Sequence, residues 1–300
     1  MKGPLDERRH FGLDALRGAI RDANPDILHT NGFKMHLLGA RAIARPQGAQ
    51  ARLRPNVVWH LHDYLGSRPL SARLLRWNRA RCAAVIANSA SVAADARRVL
   101  GGALTVAVVY NGIDLDRFAP SGERLDLDAL AGAAPPAPGT IRVGLLGTFA
   151  RWKGHETFLR AIARVPAGVP IRAYIIGDAV YDTGGSQYTR QELVDVARRL
   201  GVGDRVVFTG FVPKPEAALR ALDIVVHAST APEPFGLVIA EAMACERPVI
   251  VSLAGGVREL VTDGVDAVAH APGDVEALAA RITELAMDGE RRARIALAGR

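Results

Sequence analysis

Short β-rich runs alternate with helical segments along the chain, and this alternation restricts the fold more than any other feature. The first part of the chain has four candidate strands, at 27–29, 57–61, 84–87 and 106–109. A second series has six candidate strands, at 141–147, 171–176, 206–209, 224–227, 248–251 and 267–269. Strands that alternate with helices form βαβ units, whose strands are parallel. The sequence therefore predicts an α/β protein with two parallel sheets.

A segment rich in Ala, Pro and Gly separates the two series of strands. It occupies 131–139 and follows an Asn-Gly pair at 111–112, which favours a turn. We therefore predict a first domain over 1–118, a linker over 119–139 and a second domain over 140–300. The second domain has enough strands for a complete doubly wound sheet, whereas the first has fewer and is predicted to be incomplete.

The charge of the chain leaves two interpretations open. The 38 Lys and Arg residues exceed the 31 Asp and Glu residues, which gives a formal net charge of +7. The cations are spread along the chain and do not form basic blocks interleaved with aromatic residues, so we predict no nucleic-acid partner. The excess is either a consequence of an Arg-rich composition or a basic face for acidic lipid or phosphorylated substrates.

Cysteine usage and hydropathy bear on the compartment. Cys82 and Cys245 are the two cysteines, too few for a disulfide framework or a four-ligand metal site. No apolar h-region follows Met1, and no apolar stretch approaches the ~20 residues of a membrane span. We therefore expect a cytoplasmic protein. Its basic charge adds the expectation of peripheral contact with the inner face of an anionic membrane.

The loop after the first strand of the second domain places two cations at a strand end. Arg151 and Lys153 follow Gly147 and precede a helix that is predicted to start near Glu156. In open parallel sheets, ligands bind beyond the carboxyl ends of strands. A guanidinium binds phosphate oxygens as a fork and an ammonium binds them as a point charge, so the two residues predict a diphosphate clamp. The alternative is a pair of solvated loop cations.

Two carboxylates flank the start of a strongly apolar helix within 231–245. Glu233 lies just before the helix N-terminus, whose backbone N–H groups favour an anion. Glu241 interrupts an otherwise apolar run from Leu237 to Cys245, so the helix is predicted to be buried on all sides. A buried carboxylate needs a partner, and two ribose hydroxyls would each donate a hydrogen bond to Glu241. The alternative makes Glu233 a helix cap and Glu241 half of a buried ion pair with an Arg.

Two further loops carry candidate residues. Gly255 and Gly256 precede a helix, and glycine lets a backbone approach a ligand closely. In the first domain, His60 and His62 lie at the end of the strand 57–61. Their spacing suggests a metal pair, but no third and fourth ligands occur at suitable spacing, so we predict no metal site.

Six segments together resemble the retaining GT-B glycosyltransferases of the glycosyl transferases group 1 type, family four. These segments are 110–114, 147–154, 206–211, 233–241, 247–251 and 255–259. The resemblance implies two Rossmann-like, doubly wound domains that face a cleft. It also implies transfer of a sugar from a UDP-, GDP- or ADP-sugar to an acceptor, with retention of anomeric configuration and with no cofactor or metal ion. The identity of the acceptor stays open.

The family's pattern also implies roles for individual residues. The donor diphosphate would be held by Arg151, Lys153 and Gly147. The nucleoside would be held by Glu241 at the ribose and by the backbone of Phe211 and Val212 at the base. The donor sugar would contact Glu233, as a catalytic residue, and the backbone of Phe235, Gly236 and Leu237. His62 matches the family's first-domain histidine near the reaction centre and is the second predicted catalytic residue; its alternative is a strand-end histidine bonded to backbone.

The chain departs from the family pattern at both ends. It lacks the family's opening strand with its Gly-rich loop and the closing helix that returns to the first domain, so we expect a sequence truncated at both ends or begun at a misassigned methionine. Glu246 also replaces the Gly expected at a helix C-cap. The competing hypothesis is a non-catalytic remnant that still binds a nucleotide or nucleotide sugar. A sugar-nucleotide epimerase would need further acid and base residues, and the lack of G-x-G-x-x-G disfavours a dehydrogenase.

Overall fold

Two separate parallel sheets form the framework of the protein, as the alternation of strands and helices predicts. The computed structural model describes residues 12–43, 55–102, 104–180 and 185–300. The contacts divide the chain into two units, Met1–Tyr110 and Asn111–Arg300. The division lies before residue 118, the predicted end of the first domain.

The first unit contains, among its described residues, a sheet of four parallel strands in chain order. These strands are β1 (Ile27–Asn31), β2 (Asn56–Leu61), β3 (Cys82–Ala87) and β4 (Thr105–Val108). The helices of this unit are α1 (Leu13–Ala23), α2 (Phe33–Ala42), α3 (Pro69–Asn78) and α4 (Ala90–Leu100). Pro69 occupies the first turn of α3, and the Ser89 side chain caps α4 by accepting from the Val92 N–H at 3.0 Å. The four predicted strands of this part are thus confirmed.

The middle strand β2 shows how the first sheet divides its side chains. Val57, Trp59 and Leu61 are buried, whereas the alternate positions Val58 and His60 are only half-buried. Successive side chains of a strand point to opposite faces, so one face of the sheet carries the core of this unit. His60 belongs to the other face.

The second unit contains six parallel strands in the order β10-β9-β8-β5-β6-β7. The strands are β5 (Ile141–Leu146), β6 (Ile171–Ile176), β7 (Val206–Gly210), β8 (Ile224–His227), β9 (Val249–Ser252) and β10 (Val268–His270). Counted within the unit, this is the order 3-2-1-4-5-6 that is typical of doubly wound nucleotide-binding sheets. The order reverses between β5 and β8, and the carboxyl ends of these two strands therefore mark the switch point at which such sheets bind ligands.

Both faces of the second sheet are covered by helices. These helices are α5 (Leu127–Leu130), α6 (His155–Arg164), α7 (Arg190–Arg199), α8 (Pro215–Arg220), α9 (Leu237–Ala244), α10 (Val257–Leu260), α11 (Val275–Met287) and α12 (Gly289–Gly299). Along β6, Ala173 and Ile175 belong to one core, and Tyr174 and Ile176 belong to the other. A strand buried on both faces needs an apolar run, and β6 has one from Ala173 to Ile176.

The segment predicted as a linker, 119–139, lies within the second unit and packs on the rest of it. Leu127 is buried in the core there, and the buried carboxylate of Asp128 accepts hydrogen bonds from the Arg172 guanidinium at 2.8 Å and the Tyr174 hydroxyl at 3.0 Å. The Arg220 guanidinium also donates to the carbonyl of Glu123 at 2.8 Å. These contacts attach the segment to the second sheet. In the described residues, no helix combines the length and the apolar character that crossing a membrane requires.

Candidate functional site

The loop after β5 is held at the switch point by a backbone hydrogen bond at its start and, at its end, by a close approach that only glycine permits. The Gly147 N–H donates to the Ile176 carbonyl at 2.9 Å, which ties the end of β5 to the end of β6. Gly154 has a φ of +77°, and a Cβ built there would lie 1.8 Å from the carbonyl oxygen of Ala228. The loop therefore approaches the end of β8 more closely than any side chain allows. Both predicted cations lie on this loop.

Lys153 forms an ion pair with Glu233 across the switch point. The Lys153 ammonium donates to Oε2 of Glu233 at 2.8 Å, and both side chains are largely removed from solvent. Lys153 comes from the loop after β5 and Glu233 from the loop after β8. The two residues are 80 positions apart in the chain, and the reversal of strand order brings them together.

Three side chains donate to the same oxygen of Glu233. Besides Lys153, the His227 ring lies with Nε2 at 3.1 Å and the Ser229 hydroxyl at 3.1 Å from Oε2. Burial alone would raise the pKa of Glu233, but the hydrogen bond from His227 and the charge of Lys153 outweigh it and lower that pKa to about 2. Glu233 is therefore a carboxylate at neutral pH, held within a polar network.

Three buried polar residues lie in or next to the network around Glu233. They were not predicted as site residues, although a pattern in the sequence indicates them. His227, Ser252 and His270 are the last residues of β8, β9 and β10, and all three are buried. The Ser252 hydroxyl donates to the Ser229 carbonyl at 2.6 Å, and Nε2 of His270 lies 3.4 Å from the His227 carbonyl oxygen. A polar residue that closes each of three apolar strands is the pattern that would have identified them.

Arg151 binds a different carboxylate from the one that Lys153 binds. Its guanidinium donates to Glu192 at 3.0 Å and to the Gly185 carbonyl at 2.8 Å, and it lies 4.2 Å from the centroid of the Tyr188 ring. Glu192 belongs to the first turn of α7, where it also takes part in a capping box with Thr189. The predicted clamp thus consists of two cations that have separate partners.

Glu241 is half-buried on α9, and its surroundings correct one prediction. The helix is not buried on all sides: Leu237 is 45% exposed, and Val238 and Met243 are half-buried. In the described parts of the chain, no ion pair or hydrogen bond reaches the Glu241 carboxylate, so the expected alternative of a buried pair with an Arg is absent there. Burial raises its pKa, against the charge of Arg117.

The segment before α9 lies directly on the Gly255-Gly256 loop. The Gly256 N–H donates to the Glu233 carbonyl at 2.8 Å, and a Cβ on Gly256 would lie 2.2 Å from the Pro234 carbonyl oxygen. Gly236 has a φ of +103° and precedes the first residue of the helix, and Phe235 is buried beside it. The sequence predicted that Gly255 and Gly256 let the backbone approach a ligand, but at Gly256 the close neighbour is the backbone of residues 233–235.

The residues predicted to bind a nucleoside base follow β7. The Phe211 ring is 68% exposed, whereas Val212 is buried in the core. The Gly177 N–H donates to the carbonyl of Gly210 at 3.0 Å, so the end of β7 lies beside the end of β6. Phe211 and Gly147 are therefore on the same carboxyl edge of the sheet.

The first unit has its own cluster of imidazoles at the carboxyl ends of β1 and β2. The ring of His60 lies 5.3 Å from that of His29 and 4.1 Å from that of His62, between centroids. Burial and the neighbouring histidines lower the pKa of His36 to about 4, and its Nδ1 lies 2.8 Å from the Thr30 hydroxyl. A cavity of about 60 Å³ lies between this cluster and the start of α2. Among the described residues, no group of three or more His, Cys, Asp or Glu has an arrangement that would hold a metal ion.

Two families of proteins match the chain in sequence. The family described as "Glycosyl transferases group 1" matches residues 134–300, and the one described as "Glycosyltransferase Family 4" matches residues 2–117. The D-inositol 3-phosphate glycosyltransferase of Xylanimonas cellulosilytica is 33% identical over 225 residues, which are 72% of this chain and 52% of that protein. The D-inositol 3-phosphate glycosyltransferase 2 of Catenulispora acidiphila is 35% identical over a region that covers 63% of this chain and 45% of that protein. The chain spans about half the length of these relatives.

Solved structures resemble the chain as a whole. Anabaena Alr3699/HepE, crystallised in complex with UDP-glucose, is 31% identical with a TM-score of 0.81, over 96% of this chain and 75% of that one. Sucrose-phosphate synthase from Thermosynechococcus elongatus has a TM-score of 0.80 over 96% of this chain and 71% of that one, at 23% identity. At 23% identity, the similarity to sucrose-phosphate synthase shows the fold alone.

Proposed function

The chain belongs to the glycosyl transferases group 1 family, and from this premise we propose that it moves a sugar from a nucleotide-diphosphate sugar to an acceptor with retention of anomeric configuration. The observation that carries the proposal is the ionised Glu233, held by Lys153 at the switch point of a nucleotide-binding sheet. A hexose is the sugar we propose, because HepE was crystallised with UDP-glucose.

The diphosphate of the donor is proposed to lie against the loop after β5. An ammonium has three N–H donors, so the bond from Lys153 to Glu233 leaves others for phosphate oxygens. Arg151 likewise has more donors than Glu192 and Gly185 take. Gly147 presents backbone without a side chain at the same strand end, where nothing lies within 4 Å of the Cβ position.

The nucleoside is proposed to lie along α9 and the end of β7. Glu241 fits a ribose because its half-buried carboxylate has no side-chain partner in the described residues and because two vicinal hydroxyls would supply two donors. The backbone of Phe211 and Val212 would bind the base, and the exposed Phe211 ring offers it an apolar face.

The donor sugar is proposed to contact Glu233 and the backbone of Phe235, Gly236 and Leu237. A carboxylate whose Oε2 already receives three donors is fixed in orientation and can accept from a sugar hydroxyl at a defined position. His62 stays a predicted catalytic residue of the first unit, and its role in contacting the donor sugar is supported by the family resemblance.

The proposed reaction separates charge, and the residues of the switch point match that charge. As the glycosidic bond breaks, negative charge grows on the departing diphosphate, while the anomeric carbon becomes electron-poor. Lys153 and Arg151 would stabilise the leaving group without a metal ion. Retention follows if the acceptor hydroxyl attacks on the face from which the diphosphate leaves and passes its proton to the departing phosphate oxygen.

Nucleotide binding by the whole chain provides the first test. UDP, GDP, ADP, CMP and their sugar conjugates are added during thermal unfolding, with and without EDTA, because a ligand of the native state raises the unfolding temperature. We expect one nucleoside diphosphate, UDP first because HepE binds it, to stabilise the chain whether or not EDTA is present. A cooperative transition that no nucleotide shifts would contradict the donor site.

Two variants locate the nucleotide. Lys153→Ala should weaken UDP-sugar binding about tenfold or more, since it removes a charged hydrogen bond. Glu241→Gln should weaken nucleoside binding without destabilising the protein, because its carboxylate has no side-chain partner to lose in the described structure. The matched control is Arg164→Ala, which breaks the exposed ion pair with Glu276 and should leave nucleotide affinity unchanged.

Activity separates the proposal from its alternative. The chain is incubated with UDP-glucose and inositol 3-phosphate, the acceptor for which its relatives are named, and the anomeric configuration of the product is read by NMR. Product of retained configuration supports the proposal. Binding of the donor with no transfer or hydrolysis would identify a non-catalytic nucleotide-sugar binder.

A further inference from the structure

The helix α3 of the first unit exposes apolar side chains on one face. Leu70 is 82% exposed and Trp77 is 66% exposed, and they lie seven positions apart, which places them on the same side of a helix. Leu74 lies between them on this face and is half-buried. The opposite face packs inward through Ala72 and Leu75, which are buried. The outward face of α3 is therefore apolar at positions where a helix in water usually carries polar residues.

Four arginines lie on α3 or within three residues of its ends. They are Arg68, Arg73, Arg76 and Arg81, and the segment 64–94 contains no Asp or Glu. The Arg73 guanidinium lies 4.9 Å from the centroid of the Trp77 ring, a contact that leaves its N–H donors available. In the described residues none of the four forms an ion pair with a carboxylate, whereas exposed arginines of the second unit do, as Arg160 does with Glu156.

Exposed Leu and Trp side chains beside arginines that have no carboxylate partner in the described residues fit the surface of a lipid bilayer. Trp is favoured at the boundary between lipid headgroups and acyl chains, Leu is favoured below it, and Arg binds lipid phosphates as a fork. A second copy of this chain is a poor occupant, because the same arginines would repel one another. We propose that α3 docks the protein peripherally on a bilayer that contains anionic lipid, with Leu70 and Trp77 entering the interface and the four arginines binding headgroups.

The whole chain is tested by co-sedimentation with vesicles of phosphatidylcholine, with and without phosphatidylglycerol, at low and high salt. We expect binding to vesicles that contain phosphatidylglycerol and little binding to phosphatidylcholine alone. High salt should weaken the binding, since the arginines act through screened charge. This docking does not depend on the proposed donor site, so UDP binding by the second unit is expected to be unchanged in all variants below.

Two double variants separate the apolar and the charged parts of the face. Leu70→Ser with Trp77→Ser should abolish most of the sedimentation, and Arg73→Gln with Arg76→Gln should weaken it about fivefold or more at low salt. The matched control lies on α12, where Arg294 is exposed and Leu297 is 69% exposed. Arg294→Gln with Leu297→Ser should sediment like the parent chain. Each variant changes exposed residues, and its unfolding temperature verifies that it folds.

Tryptophan fluorescence provides a second readout. Trp59 is buried and Trp152 lies in the second unit, so a blue shift on adding vesicles that disappears in Trp77→Phe reports that Trp77 enters the lipid. The proposal is overturned if the chain ignores anionic vesicles, or if the α3 and α12 variants bind equally. It is also overturned if Leu70→Ser with Trp77→Ser dissolves a dimer seen by light scattering without lipid, because the face would then be a contact between copies.

Discussion

At the scale of single residues, the central feature is a carboxylate whose charge is stabilised although it is buried. Glu233 is 8% exposed, and burial by itself would favour its protonated form. His227 and Lys153 reverse that preference and lower its pKa from 4.5 to about 2. A carboxyl group whose pKa is lower in the folded state stabilises the fold above its unfolded pKa, and this contribution is lost as pH falls through the folded pKa.

Glu233 should therefore make the stability of the fold pH-dependent between about 5 and about 2. In urea unfolding, we expect the advantage of the wild type over Glu233→Gln in free energy of unfolding to be larger at neutral pH than at pH 2, by on the order of 3 kcal/mol. This advantage should shrink across that window, since acid protonates the wild-type carboxylate. Comparison with the variant removes the contributions of all other acidic groups.

The control for this titration is Glu276→Gln on α11. Glu276 is 71% exposed and pairs with Arg164, so its loss should change stability by less than about 1 kcal/mol. A pH-independent gap between wild type and Glu233→Gln would mean that the network around Glu233 does not hold a charge.

At the scale of elements, the loop between β5 and α6 depends on a close approach of two backbones. Gly154 ends the 3-10 turn Arg151–Lys153 and precedes α6, and its φ of +77° lies in the region that favours glycine. Its Cβ position is 1.8 Å from the carbonyl oxygen of Ala228. The position of Lys153 beside Glu233 follows from this approach, because the loop and the end of β8 are in direct contact.

Gly154→Ala should consequently destabilise the protein by about 3 kcal/mol or more, since both strain and a backbone collision must be relieved. The measurement is urea unfolding monitored by circular dichroism. Gly273→Ala is the matched control: its φ is +75°, but nothing lies within 4 Å of its Cβ position, so it should cost only about 1 kcal/mol. Equal losses for the two variants would show that the close approach contributes nothing.

The helix α9 shows where hydropathy misleads at this scale. Its residues other than Glu241 are apolar, which predicts burial on all sides, yet Leu237 is 45% exposed. An apolar run reports what a segment prefers, whereas its burial depends on whether other elements cover it. The first turn of α9 lies at the carboxyl edge of the sheet, where a bound ligand and not another helix is the proposed neighbour.

At the scale of the whole molecule, the chain is built of two units that have separate sheets. The nucleotide is proposed to bind the second unit, through loops that follow β5, β7 and β8. A ligand protects from hydrogen exchange the amides that it covers or orders. The effect of UDP should therefore be unevenly distributed along the chain.

In hydrogen exchange measured by mass spectrometry, we expect UDP to slow exchange in 147–154 and 233–241. Peptides from α3, in the first unit, should exchange at the same rate with and without UDP. Lys153→Ala, measured at the same UDP concentration, is the control in which the protection of 147–154 should fall. Protection confined to the first unit would contradict a donor site on the second sheet.

The order of elements could be predicted from the sequence because it is a local property. Four candidate strands and then six correspond to β1–β4 and β5–β10, and the expected GT-B fold is confirmed by the likeness to HepE at a TM-score of 0.81. Glu246 occupies the position at the end of α9 where Gly was expected, and its φ of +54° lies in the region that favours glycine. Hydropathy period and turn residues act within a few positions, so a single sequence contains them.

The environment of the candidate site was decided only by the tertiary structure. Lys153 and Glu233 were both identified from their loops, but their contact requires the strand order that puts β5 beside β8. The polar ends of β8, β9 and β10 become one group only when those strands lie side by side in register. Strand order and register are set by packing between segments that are distant in the chain. The sequence pattern therefore predicts the type of each segment but not which segments are in contact.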